Sequence, residues 1–202
     1  MNLRGLAPGL LVMFVLGGCP VAKSARAAEQ LFGAPEQQGL LVLDVPAKWS
    51  VSTRERKRMP PSTTIGTGDG EVTFSILWNA HDDSNFNSPG QLRASLEGAA
   101  EEFLVWAIES SPKLEELSGP EVSGFYFSMT RWEFAESPEP PPGQHRDYTP
   151  GIFAVGDYQV FFTMTSREKD SPGRLRILEM FRQARFRSAS ALEEGSFQER
   201  PK

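Results

Sequence analysis

With 202 residues, 39% of them hydrophobic and 23% charged, the chain holds one ordinary domain with a sizeable core, which excludes a wholly disordered protein and makes two domains cramped. The net charge is −5; without residues 1–27, which hold Arg4, Lys23 and Arg26, 18 basic side chains face 26 acidic ones, or −8. So acidic a body argues against nucleic acid, whose phosphates call for clustered Lys and Arg.

Arg4 is followed by an uncharged stretch, Leu6 to Gly18, with Leu10-Leu11-Val12-Met13-Phe14-Val15-Leu16 at its centre. That is an export signal, too short to span a bilayer as a stable helix. Leu16-Gly17-Gly18-Cys19 resembles the lipobox of bacterial lipoproteins, in which small side chains admit the peptidase and the cysteine thiol accepts the lipid. Residues 1–19 then form a signal segment, with Cys19 the lipidation site and a periplasm-facing membrane anchor the result. The rival cut, after Ala27 of Ala25-Arg26-Ala27, leaves a soluble periplasmic or secreted protein; it places Lys23 and Arg26 awkwardly between apolar core and cut. Cys19 is the only cysteine, so no intramolecular disulfide forms and the body holds no catalytic thiol.

Residues 20–37, rich in Ala, Gln and Pro and without an apolar period, read as a flexible tether. A single globular domain follows over residues 38–187, and residues 188–202 read as a disordered tail. Within the domain, Leu40–Val45 and Trp49–Ser52 read as two short strands around Pro46. Arg54, Arg56, Lys57 and Arg58, interrupted by Glu55, read as a solvated loop before Met59-Pro60-Pro61. Val72, Phe74, Ile76 and Trp78 alternate with smaller or polar residues, a strand with one strongly apolar face. Gly66-Thr67-Gly68-Asp69-Gly70 leads into that strand and not into a helix, so it is a hairpin turn and not a phosphate loop.

Ser88-Pro89 supplies an N-cap hydroxyl and a first-turn proline, and the helix it opens ends by Ser111-Pro112. Leu92, Leu96, Ala99, Phe103, Trp106 and Ala107 share one arc, with Glu97, Glu101 and Glu102 opposite. Phe125, Phe127 and Met129 mark a strand running to about Phe134, and Pro138–Gly143 is a loop. Residues 146–155 and 157–165 read as a hairpin over Gly156-Asp157, with Tyr158, Val160, Phe162 and Met164 on one face. Ser171-Pro172 opens a second helix with Ile177, Leu178, Phe181 and Ala184 inward; Arg182, Arg185 and Arg187 lie near its end, where the helix dipole favours cations.

Hairpins at this density predict an α+β fold, a mainly antiparallel sheet flanked by helices, because a parallel sheet needs a crossover at nearly every connection. The order Val45-Pro46…Trp49, a strand–helix unit, the segment Arg146–Met164 and a last helix closing on Ala184-Arg185-Phe186 resembles the PsbP-like superfamily over about residues 38–187. The resemblance implies an α-β-α sandwich and accessory or binding roles outside catalysis. It carries over no functional residue.

His81-Asp82-Asp83 and His145 with Asp147 would make a zinc site only if two loops met, and an Asp-Asp-Ser-Asn run is ordinary turn chemistry; no metal and no cofactor is expected. There is no Gly-x-Ser-x-Gly elbow, and Glu101-Glu102 and Glu115-Glu116, read as helical, point apart and cannot flank one bond. The expected role is therefore a non-enzymatic accessory or protein-binding module of the bacterial cell envelope, with the membrane, through the N-terminal lipid, and an envelope protein as partners. A carrier of a small hydrophobic ligand between sheet and helix is the alternative, and a hydrolase with a dispersed site the third reading.

Overall fold

The computed structural model describes residues 27–33, 39–56, 59–79, 83–136 and 139–188. The strands are β1 (Ala27–Phe32), β2 (Gly39–Pro46), β3 (Ser50–Arg56), β4 (Met59–Gly66), β5 (Gly70–Trp78), β6 (Glu115–Ser118), β7 (Val122–Tyr126), β8 (Met129–Thr130), β9 (Asp147–Val155), β10 (Tyr158–Ser166) and β11 (Arg185–Ser188). The helices are α1 (Pro89–Leu104) and α2 (Pro172–Arg182), with a 3-10 turn over Trp132–Phe134.

Among the described residues the large sheet runs β3-β4-β5-β10-β9-β7-β6 with β8 beside β9, and a small sheet runs β1-β2-β11. Every strand pairing among the described residues is antiparallel. The fold is thus α+β, an antiparallel sheet flanked by helices, as the turn density requires.

The period-2 rule divides the two faces. On β10, Tyr158, Val160, Phe162 and Met164 join Val72 and Phe74 of β5 in the larger core, which α2 and the small sheet cover. Phe181 sits at its centre, fully buried, with ring centroids 4.9 Å from Phe162 and 5.0 Å from Phe153. The opposite face packs α1 through Leu92, Leu96 and Ala100 onto Phe127, Met129, Ile152 and Ala154. Both helices open as expected: Gln91 N–H donates to Ser88 Oγ and Arg174 N–H to Ser171 Oγ, each at 3.2 Å, with Pro in the first turn. The Gly156 turn joins β9 to β10 at φ +54°, and a Cβ there would meet the Phe186 ring at 2.4 Å, so only glycine fits.

Several expectations are corrected. Ala27–Phe32, assigned to the tether, form β1, because Leu31 and Phe32 pair with Val42 and Leu41 and Phe32 enters the core beside Phe74. The basic loop is in part a hairpin: Arg54 and Arg56 lie on β3 opposite β4, while Lys57 and Arg58 lie outside the described residues. Pro60 and Pro61 are tolerated in β4 because its pairing with β5 begins only at Ser62. Helix α1 stops at Leu104, so Trp106 and Ala107 are not helical and Ala100, not Ala99, is buried. The strand expected to reach Phe134 breaks into β7, β8 and the 3-10 turn. Glu115 and Glu116 lie on β6, where the Tyr126 hydroxyl donates to Glu115 at 3.0 Å. Arg185 and Arg187 lie on β11, where they pair with Asp44 and Glu29 across the small sheet.

Candidate functional site

The site starts where α1 ends. Trp106 N–H donates to Phe103 O and Ala107 N–H to Leu104 O, closing a turn, after which Ala107 forms an isolated bridge with Arg131. Ile108 N–H then donates to Thr130 O and Trp132 N–H to Trp106 O, both at 2.9 Å, and Thr130 N–H reaches Glu109 Oε2 at 2.8 Å. Two segments, 105–109 and 130–132, are zipped together, and their backbone needs leave the side chains facing out. Val105 is 70% exposed, Trp106 57%, Trp132 55% and Ile108 48%. Large apolar residues scattered singly over a surface need no account, but this cluster on two bonded segments does.

A surface cavity of about 330 Å³ opens beside them, lined by Glu102, Phe103, Trp106, Met129, Arg131 and Tyr148. The Arg131 guanidinium lies 5.6 Å from the ring centroids of both Phe134 and Tyr148 and pairs with Glu133. The charge at the rim is thereby held in place, and the wall beneath it is aromatic.

A second cleft, about 320 Å³, lies between α1 and the large sheet, with Leu96 and Ala99 on the helix side and Ser62, Ser75, Phe161 and Thr163 on the sheet side. Beneath the sheet's end Arg174 is 5% exposed. Its Nε donates to Thr149 Oγ1 at 3.1 Å, Nη2 to Ser128 Oγ at 2.7 Å and Nη1 to Lys169 O at 2.7 Å, all neutral oxygens. The group also lies 5.9 Å from the Tyr126 ring. Nearby Asp147 is buried and accepts from Thr130 at 3.0 Å; its burial raises the carboxyl above the usual carboxylate range despite that bond and the pull of Arg146. The arrangement fixes α2 to β9 and offers no open position to a reactant.

Of the residues singled out from sequence, Cys19 and His81 lie outside the described residues. His145 lies in the loop before β9, and Asp147 is engaged by Thr130. Among the described residues no group of three His, Cys, Asp or Glu side chains could hold a metal ion, and no helix is long and apolar enough to cross a membrane. Sequence reasoning missed Arg174 and the exposure of Trp106 and Trp132.

No family model matches the chain, and no curated protein matches it significantly. Among solved structures, the cyanobacterial PsbP (CyanoP) of Synechocystis, determined in solution, is similar in fold with a TM-score of 0.45 at 9% identity, over 86% of this chain and 98% of that one. A crystal structure from Bacteroides thetaiotaomicron gives 0.43 at 12% identity over 74% of this chain; this chain spans about half, 46%, of that one.

Proposed function

We propose that the chain is an exported accessory module, anchored at the cell envelope through a lipid on Cys19, which works by surface contact and not by catalysis. The observation that carries this reading is the cluster of Val105, Trp106, Ile108 and Trp132 beside an aromatic-walled cavity at one end of the domain. Contiguous exposed apolar side chains mark interaction surfaces. The other large chemical feature, Arg174, has its donors committed inside the fold.

A photoreactive residue in place of Ile108 tests the surface in living cells, with the same residue in place of exposed Asn85, near the opposite end of α1, as control. Envelope adducts from position 108 alone are expected, and none there, or equal adducts at both, would sink the reading. The anchor is tested separately: Cys19→Ser should leave an uncleaved precursor, and a lipid-free mature chain beginning at Ala28 would refute it. The helix–sheet cleft favours the carrier reading as the second choice; native mass spectrometry that shows a stoichiometric apolar ligand would raise it above the first.

A further inference from the structure

We infer that the end of the domain bearing Trp106 and Trp132 lies against the bilayer that holds the N-terminal lipid, and that these side chains set how the domain stands on the membrane. The inference deepens the contact-surface reading and rests on its lipid anchor.

The chain enters the fold at the end that bears the tryptophans. Ala27 opens β1 opposite Pro46, and Trp49 N–H donates to Pro46 O. Ser50 then pairs with Gly66, Gly66 with Glu71, Gly70 with Ser166, Ser166 with Asp147, and Asp147 with Thr130. Thr130 holds Ile108, and Trp132 holds Trp106. This chain of bonds crosses one end of the large sheet, so the N-terminus of β1 and the tryptophans share an end. The walk covers β3, β4, β5, β10, β9 and β8, about 24 Å at the usual strand spacing.

Residues 20–26 separate Cys19 from β1, and seven residues fully extended span at most about 25 Å. A domain of this size has a radius of gyration of about 15 Å and is therefore roughly 40 Å across. The tether is shorter than the domain is wide. The domain therefore cannot turn over, the end that receives the tether stays on the leaflet side, and the tryptophans are on that end.

Trp joins an apolar body to one N–H donor and suits the headgroup layer, which is wet on one side and oily on the other. Arg167 and Lys169 alternate with Glu168 and Asp170 in the loop after β10, while the exposed charges nearest the tryptophans are acidic, Glu102, Glu133 and Glu136, with Arg131 paired to Glu133, so nothing there draws this end to an anionic leaflet. Contact then depends on apolar burial, and anionic lipid weakens it. A protein partner would equally cover an apolar patch, but the tether holds this patch beside lipid whether a partner is present or not.

The test uses the mature lipid-bearing protein, verified by intact mass and reconstituted into phosphatidylcholine vesicles whose acyl chains carry bromine either near the glycerol or near the chain end. Tryptophan emission should shift to the blue and be quenched most by the shallow bromine. The double variant Trp106→Phe with Trp132→Phe should lose most of that quenching, leaving buried Trp49 and half-buried Trp78 to emit. Unquenched emission from lipid-bearing wild type overturns the inference and leaves the anchor standing, as does quenching that persists in the double variant. A protein adduct at position 108 in cells, in place of a lipid adduct, overturns it in favour of a protein partner and preserves the contact surface. A lipid-free mass overturns the anchor itself and the inference with it.

Discussion

Arg174 offers the sharpest check on how the domain is held together. Its guanidinium is buried and donates to three neutral oxygens, so the group bears the cost of desolvation without an ion pair to offset it. Each bond from a charged donor contributes about 1.5–3 kcal/mol, and burying the charge costs several kcal/mol, so the two sums nearly cancel. What decides a substitution is what it leaves behind. Arg174→Met keeps most of the volume and sheds the charge, while Ser128 and Thr149, already 3.2 Å apart, can bond each other. It should fall within about 1 kcal/mol of wild type. Arg174→Ala also loses contact with Tyr126 and leaves a void, for about 2 kcal/mol. Arg174→Lys should be worst, at about 3 kcal/mol, since it keeps the desolvated charge and lacks the planar fork that reaches three acceptors. Urea titrations followed by far-UV circular dichroism give the order, provided the m-values agree. If lysine equals wild type, or methionine is as damaging as lysine, the positive charge itself is required. Asp147 would then be its counter-ion and the account above is wrong.

Other outcomes follow from the same structure. Asp69 accepts from the Thr67 hydroxyl at 2.6 Å and from the Gly173 N–H at 3.0 Å; burial works to raise its pKa, but these bonds outweigh it and hold the carboxyl below the usual range. A lowered native pKa means stability that is present above about pH 4 and lost on acidification. Asp69→Ala should therefore cost about 1 kcal/mol at neutral pH and progressively less in acid melts; a gap that widens in acid would contradict this. Phe181→Ala should cost about 3–5 kcal/mol, half-buried Phe103→Ala about 2, and exposed Glu101→Ala within about 0.5, in denaturant melts. Equal losses at Phe103 and Glu101 would mean that α1 is rotated about its axis. EDTA, and His81→Ala with His145→Ala, should leave the melting temperature unchanged, whereas stoichiometric zinc lost in that double variant would promote a metal-assisted hydrolase.

The two long hairpin strands and both helix starts are legible because each is set by local chemistry: a Gly-Asp turn between alternating runs, and Ser-Pro before an apolar stripe. Strands β1, β6 and β11 are not, since each is short and takes its conformation from a neighbour: β1 and β11 from the two edges of β2, β6 from β7. Propensity says little where pairing decides. Arg174 did leave a signal. Positions 174, 177, 178 and 181 form the i, i+3, i+4, i+7 stripe of α2, so the arginine occupies a core position. A charged residue in an apolar stripe asks for buried partners, and Ser128 and Thr149 on distant strands supply them. No sequence pattern could have named those two.

Trp106 shows the converse. Its angle continues the arc of Leu92, Leu96 and Phe103, so helical phase sends it inward with them. Phase is meaningful only while the helix lasts. At Ala107 the backbone finds Arg131 as a bridge partner and Ile108 finds Thr130, and these strand-like bonds displace the next helical turn. The side chain that phase would bury is left 57% exposed, next to a second tryptophan delivered by the facing segment. Hence a residue that reads as core becomes part of the contact surface through one local event, the end of α1 seven residues before the Ser111-Pro112 stop that sequence suggests. A variant that carried α1 on past Leu104 would bury Trp106, unzip Trp132 and remove the surface, although no residue of the patch itself had changed.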